Sequence, residues 1–168
     1  VNGRADVTSS VASANAGSDI TQCNNGSFTM AANAVSSPAV GTWTVVSGTA
    51  TITSANSATS TITGVPLGTS ATLKWRITNG PCNPTEDLVV VTNSATNTWI
   101  GSTSTDWNTA ANWCGGVPTS ASNVEIPSGT TFSPSIYQTA NAVANSVNIF
   151  NGATLSMSNG YSLSITSG

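Results

Sequence analysis

The chain has 168 residues but only three Lys or Arg, six Asp or Glu and no His, which leaves a formal net charge of −3 and a pI near 4.2. General acid–base catalysis usually depends on His or on carboxylates with a shifted pKa, so this composition argues against an enzyme. It also excludes the basic stripe that nucleic-acid binders need, and no apolar stretch approaches the ~20 residues of a membrane-spanning helix.

The first half of the chain alternates apolar and polar residues with a period of two, and Gly, Pro or Asn interrupts this pattern at short intervals. Such a pattern predicts an all-β fold with negligible helix. In the predicted strand over 73–78, Leu73, Trp75 and Ile77 share one face, and Lys74 and Arg76 share the other. A small β-sandwich of the immunoglobulin type over residues 1–94 accommodates the predicted strands, which lie at 27–30, 42–46, 50–53, 60–63, 73–78 and 88–92.

A polar segment over 93–97 marks a domain edge, so a second domain is expected over 95–168. Its tail repeats an apolar-polar-apolar triplet at an eight-residue step, at 147–149, 155–157 and 163–165. The dipeptides Asn151-Gly152 and Asn159-Gly160 favour type I′ hairpins and an antiparallel β-meander. Alternatively, each triplet forms one side of a coil in an incomplete parallel β-helix (a β-solenoid), with Asn and Gly at the corners. The pattern over 143–168 leaves both arrangements open.

The chain has three cysteines, Cys23, Cys82 and Cys114. Their spacing is too wide for a zinc site, and no imidazole ligand is available. Cys23 and Cys82 bracket the strands of the first domain, so we expect a disulfide between them, with Cys114 outside it. A structural disulfide indicates an oxidising compartment, which predicts an extracellular protein.

Two sets of motifs resemble repeats of large surface proteins. The first set is similar to the PKD-like/Ig-like repeats of adhesins from gliding Bacteroidetes and comprises 16–19 leading to Cys23, Gly41-Thr42-Trp43, Leu73-Lys74-Trp75, 79–82 and 87–91. The second set looks like the entry segment of β-helical adhesin repeats and comprises Trp99-Ile100-Gly101, Asp106-Trp107, Asn112-Trp113, Val117-Pro118 and Ile126-Pro127.

This resemblance implies a module of a gliding-motility adhesin that is exported by the type IX route and displayed on the cell surface. Its implied partners are neighbouring repeats of the same polypeptide and surface polysaccharide. The function predicted on this basis is structural or adhesive and non-enzymatic. The alternative is a carbohydrate-binding accessory module of a secreted polysaccharide-degrading enzyme. A glycosidase itself needs two carboxylates at a set separation, and the sequence offers no such pair.

Three tryptophans, Trp99, Trp107 and Trp113, are the candidate ligand-facing residues. Exposed aromatic rings stack on sugars, which would suit the carbohydrate-binding alternative. The favoured interpretation is that these residues are buried and cap a β-helix or fill an interface, because Trp is highly buried on average.

Five carboxylates are the candidate calcium ligands, namely Asp19, Glu86, Asp87, Asp106 and Glu125. Calcium takes six to eight oxygen ligands, usually from clustered carboxylates, and no Asp-x-Asp-x-Asp run occurs. We therefore expect solvated surface charges and no cofactor.

Overall fold

The computed structural model describes residues 11–137 and 140–167. The chain divides into two compact units, Val1–Asn93 and Ser94–Gly168, so this boundary lies one residue from the division expected after residue 94. The described residues form an all-β structure, and their only helical segment is a 3-10 turn at Ala110–Asn112. The all-β class and the negligible helix content are therefore confirmed. No helix within these ranges has the length and apolar character needed to cross a membrane.

The first unit contains two β-sheets. Its strands in the described residues are β1 (Ile20–Cys23), β2 (Phe28–Thr29), β3 (Val40–Ser47), β4 (Thr51–Ile52), β5 (Thr61–Thr63), β6 (Thr69–Thr78) and β7 (Thr85–Ser94). One sheet has the order β1-β7-β6-β3, and the other has the order β2-β5-β4. The pairs β3–β6, β6–β7, β2–β5 and β4–β5 are antiparallel.

Strand β6 shows how the local sequence pattern determines burial. Leu73, Trp75 and Ile77 are buried, whereas Lys74 and Arg76 lie on the opposite face, as the alternation predicted. The two cations contact Glu86 on β7, with Lys74 Nζ 3.2 Å and Arg76 Nε 3.4 Å from its carboxylate oxygens. Exposed ion pairs of this kind contribute at most about 1 kcal/mol, so burial of the apolar face dominates the stability of the strand.

Both sheets of the first unit contribute to one core. Phe28 and Ile62 come from the three-stranded sheet, and Trp43 and Trp75 are paired across β3 and β6. The two indole centroids lie 5.0 Å apart. Gly41 is required beside them, because a Cβ at this position would collide with the Trp75 ring.

The second unit is built from parallel strand pairs. Its strands in the described residues are β8 (Asn123–Ile126), β9 (Ser135–Ile136), β10 (Ala142–Ala144), β11 (Ser146–Ile149), β12 (Ser156–Met157) and β13 (Leu163–Ile165). The pairs β8–β11, β9–β12 and β10–β13 are all parallel, and the paired residues are about 22 positions apart in the chain.

The antiparallel meander is therefore wrong for these strands. The three eight-residue repeats enter three different pairs, as β11, β12 and β13, instead of pairing with one another. Gly152 and Gly160 have φ values of 81° and 87°, so these two glycines turn the chain between β11, β12 and β13. The same left-handed conformation serves a hairpin or a corner, which is why the dipeptides alone could not distinguish the two.

The cysteine pairing also differs from the prediction. Cys23 and Cys114 are the disulfide-bonded cysteines, so the expected pair of Cys23 with Cys82 is wrong, and so is the expectation that Cys114 lies outside a disulfide. Asp87 and Val90 of β7 contact Ala16 and Asp19 in the same chain order, so β1 runs alongside β7 in the same direction. Cys23 therefore lies towards the end of β7, whereas Cys82 comes just before β7 begins, and the length of this strand far exceeds the Cα separation that a disulfide spans.

Peptide mapping of the unreduced protein should therefore link the Cys23 peptide to the Cys114 peptide. Cys114→Ser should abolish this link, and Cys82→Ser should leave it intact. A mapped peptide joining Cys82 to either of the other cysteines in the wild-type chain would contradict the structure.

Candidate functional site

The three candidate tryptophans of the second unit form one buried cluster. Trp99 and Trp107 are fully buried, and Trp113 is 3% exposed. Trp113 lies between the other two, with ring centroids 4.9 Å from Trp99 and 4.7 Å from Trp107, in edge-to-face arrangements. Aromatic pairs favour this geometry, because the positive ring edge meets the negative ring face. The cluster leaves no exposed ring face on which a sugar could stack.

Hydrogen bonds hold two of these indoles in place. The Trp99 and Trp113 indole N–H groups each donate to a backbone carbonyl at 2.6 Å, that of Phe132 and that of Trp107 respectively. The Trp107 indole N–H is buried and has no acceptor among the described residues. Two of the three rings are therefore fixed by polar contacts as well as by packing, which suits a structural role.

The segment that carries these tryptophans lies along one edge of the parallel pairs. Thr98 forms a parallel bridge with Glu125 of β8, and Asp106 forms one with Ser135 of β9. The Trp99 amide also donates to the Glu125 carbonyl at 2.9 Å, and the Trp107 amide donates to the Ser135 carbonyl at 3.0 Å. The segment thus covers β8 and β9 on the side opposite β11 and β12, and its indoles fill the core at this end.

Asn112 organises the loop between the first and last of these tryptophans. It is fully buried, and its Oδ1 accepts hydrogen bonds from the Thr103 amide, the Thr103 hydroxyl and the Ser104 amide at 2.8–3.0 Å. Its Nδ2 donates to Ser104 Oγ and to the Asp106 carbonyl, both at 2.9 Å. The sequence analysis placed Asn112-Trp113 among the motifs of the resemblance but did not identify Asn112 as a structural centre, because its hydrogen-bond partners cannot be read from the motif.

The candidate calcium ligands are dispersed. Asp19 and Asp87 accept hydrogen bonds from the amides of Val90 and Ala16, both at 2.8 Å. Asp106 accepts hydrogen bonds from the Asn108 amide and the Thr109 hydroxyl, Glu86 contacts Lys74 and Arg76, and Glu125 lies on β8. No group of three or more metal-binding side chains occurs in the described part of the chain. Four of the five carboxylates therefore hold the fold together locally.

A shallow pocket of about 290 Å³ lies in the first unit and is bordered mainly by Ala34, Val35, Ala39, Val40, Asn56 and Trp75. Trp75 is its only aromatic wall and is 1% exposed, so it offers no stacking surface. The volume is at the lower limit of small-molecule sites, and no charged side chain lines it. This pocket has no feature that selects a ligand.

The second unit has three partly exposed apolar side chains that lie on the same side of their sheets as its buried core. Ile149, Met157 and Ile165 are 46%, 56% and 47% exposed. Their parallel register partners, Ile126, Ile136 and Ala144, are fully buried. Paired residues in a parallel sheet point to the same side, so the three exposed residues continue the buried core stack. We call these three residues, with the outer edges of β11, β12 and β13, the end face.

The end face is also open along its backbone. Each of β11, β12 and β13 belongs to a two-stranded sheet, so within the described residues only one edge of each strand is paired. No Asp, Glu, Lys or Arg occurs after Glu125 in the sequence. Natural proteins usually protect such edges with charged residues, proline or covering elements. The chemistry available here is apolar burial and strand pairing, which supports association with another polypeptide.

Comparison with known proteins covers this same unit. Residues 98–168 match a family model described as a domain of unknown function (DUF8693). The matched range contains the tryptophan cluster, Asn112 and the end face. No curated protein matches the chain.

Proposed function

We propose that this chain is a non-enzymatic structural or adhesive module of a large cell-surface adhesin. In this proposal the first unit is an Ig-like/PKD-like β-sandwich that acts as a spacer. The second unit is the beginning of a parallel β-solenoid that is closed at one end by the tryptophan cluster. Modules of this kind need no cofactor and can be joined into long arrays, in which each repeat contacts only its neighbours.

The parallel strand pairing of the second unit carries this proposal. Three successive strands, β8, β9 and β10, pair in parallel with the next three strands, β11, β12 and β13, and the pairs follow the order of the chain. This order is the one expected if consecutive coils stack along an axis. The eight-residue step of the sequence then corresponds to one side of a coil.

The first unit supports the spacer assignment through its two sheets over one core. In immunoglobulin-like sandwiches, residues from the inner faces of both sheets form such a core. The disulfide-bonded state of Cys23 and Cys114 supports an extracellular location, because disulfides persist in oxidising compartments. Display on the outer surface, export by the type IX route and adjacent repeats as partners rest on the resemblance of the sequence motifs.

The dispersed carboxylates support a non-catalytic role. Glycoside hydrolysis needs two carboxyl groups across a bound sugar, and four of the five candidate carboxylates are instead engaged with backbone amides, with a hydroxyl group or with cations. The carbohydrate-binding alternative loses its expected ligand-facing residues, because Trp99, Trp107 and Trp113 are buried.

Antibodies raised against the folded chain provide the test. We expect them to label intact cells of the source organism and to reduce attachment of these cells to glass. Labelling that requires permeabilised cells would overturn the proposed location. Hydrolysis of a polysaccharide by the purified chain would overturn the non-enzymatic assignment.

A glycan array separates the two binding classes. We expect that no glycan on the array binds the purified chain through its exposed side chains. Glycan binding that is retained in Trp113→Ala but lost on substitution of Asn56 in the first-unit pocket would favour the carbohydrate-binding module. Trp113 belongs to the second unit, so the Trp113→Ala variant shows whether the second unit contributes to glycan binding.

A further inference from the structure

The end face has the properties of a contact surface inside a coil stack. Ile126, Ile136 and Ala144 are buried because Ile149, Met157 and Ile165 lie over them in register. The same three covering residues have no such layer on their other side within the described residues. Burial of large aliphatic side chains is favourable, so a further layer over these three residues would be stabilising.

The opposite end of the same unit shows how an end can be closed. There, the segment carrying Trp99, Trp107 and Trp113 pairs with β8 and β9, and its three indoles fill the interior. The end face has no aromatic layer of this kind. Phe150 and Tyr161 are near it in the chain, but Phe150 is an exposed side chain and Tyr161 packs only partly against the core.

We propose that the end face is a docking site for a further polypeptide coil of the same pattern. This partner has three short strands with an apolar-polar-apolar sequence at an eight-residue step, and they add parallel to β11, β12 and β13. The proposal deepens the proposed solenoid and rests on it, since it uses the same coil geometry.

Three observations select this occupant. The open strand edges offer backbone donors and acceptors, which another β-strand satisfies in register. The exposed layer continues the contact already formed between the strand pairs. Its apolar side chains follow one another at the eight-residue step, so a partner with the same step matches them. The lack of charged residues after Glu125 leaves no electrostatic attraction for an acidic or basic ligand.

The two methionines of the chain allow a direct test. Met157 lies on the end face and is 56% exposed, whereas Met30 is buried in the first unit and serves as an internal control. Oxidation of a thioether by hydrogen peroxide depends on its exposure. In the wild-type chain we therefore expect rapid conversion of Met157 to the sulfoxide and slow conversion of Met30.

The test extends the full chain at its C terminus with a second copy of residues 147–167, in which leucine replaces the copied methionine. We expect Met157 oxidation to slow at least about tenfold, because the added coil buries its thioether. The control extension carries serine at the six apolar strand positions of the copied segment and should leave the oxidation rate of Met157 unchanged. Equal oxidation rates in the two extended chains would overturn the proposal.

Two point variants guard against indirect effects. Ile149→Asp introduces a charge on the end face and should restore rapid Met157 oxidation in the chain extended with the apolar copy. Val143→Asp is the matched control, because Val143 is also exposed but alternates with the buried Ala142 and Ala144 on the preceding coil. This control should retain the protection. Loss of protection in both variants would contradict docking at the end face.

The rate of Met157 oxidation in the unextended chain, measured at several protein concentrations, distinguishes docking of a further coil from pairing of two copies of the chain. We expect Met157 oxidation to be independent of protein concentration. Protection that grows with concentration would overturn the proposal, since the end face would then pair with itself. Failure of the extended chain alongside surface labelling of cells would refute the docking site and leave the adhesin proposal standing.

Discussion

Trp113→Ala should destabilise the second unit by about 4 kcal/mol, the largest effect that we expect from a single substitution. The indole contacts both Trp99 and Trp107, so its removal opens a cavity between two rings that are fully buried. It also removes the donor to the Trp107 carbonyl, leaving a buried acceptor without its partner. Hydrogen exchange measured by mass spectrometry should show about a thousandfold faster exchange over residues 98–137.

Phe132→Ala is the matched control for this substitution. The Phe132 side chain is 37% exposed, and its backbone carbonyl still accepts the Trp99 indole hydrogen bond in the variant. We expect a cost below about 1 kcal/mol, because the substitution creates no large buried cavity. Exchange over residues 69–93 should be unchanged in both variants. Equal destabilisation by the two substitutions would show that the tryptophan cluster does not hold the unit together.

Asn112→Ala should cost the second unit about 3 kcal/mol, because one substitution removes five hydrogen bonds to a fully buried side chain. Thr103 is an exposed residue, so water can replace part of what its groups lose, and the total is smaller than five independent penalties. The Asp106 carbonyl loses its Asn112 donor and contributes to the cost. Exchange of the Thr103 and Ser104 amides should increase first, and the thermal unfolding midpoint should fall.

Asn112→Asp separates the acceptor role of this side chain from its donor role. The carboxylate still accepts from Thr103 and Ser104, but it cannot donate to Ser104 Oγ or the Asp106 carbonyl at neutral pH. We therefore expect faster exchange of the loop than in the wild type, with the Thr103 and Ser104 amides still partly protected. Asn108→Ala is the control and should cost below about 1 kcal/mol, because the Asn108 side chain makes one exposed hydrogen bond, to the Ala140 carbonyl. A loop equally protected in Asn112→Ala and Asn108→Ala would refute the organising role of Asn112.

The sequence predicted the burial of β6 correctly because this information is local. A strand alternates its side chains between two faces, so Leu73, Trp75 and Ile77 must share a side wherever the strand is placed. The expected strands at 42–46 and 88–92 also lie within β3 and β7. The same reasoning could not show that β4 pairs in a different sheet from β3, since this depends on contacts with β5 and β6.

The candidate site was predicted only in part. Its tryptophans were identified by residue type, but the choice between an exposed and a buried ring required the strands that pack around them. Asn112 was not recognised as the centre of its loop, because its partners are short polar residues with no characteristic spacing. The end face was visible in the sequence as repeated apolar triplets, whereas its exposure depends on which strands cover it.

By itself, the sequence determined the all-β class, the scarcity of titratable groups and the eight-residue step of the tail, because composition and short periodicities are properties of neighbouring residues. Only the tertiary structure decided the parallel pairing, which cysteines are disulfide-bonded and how the tryptophans pack against one another. Paired strands of the second unit are about 22 residues apart, and Cys114 is roughly 90 residues from Cys23. Contacts at such separations depend on the order of strands in space, and a local pattern of apolar and polar residues does not encode that order.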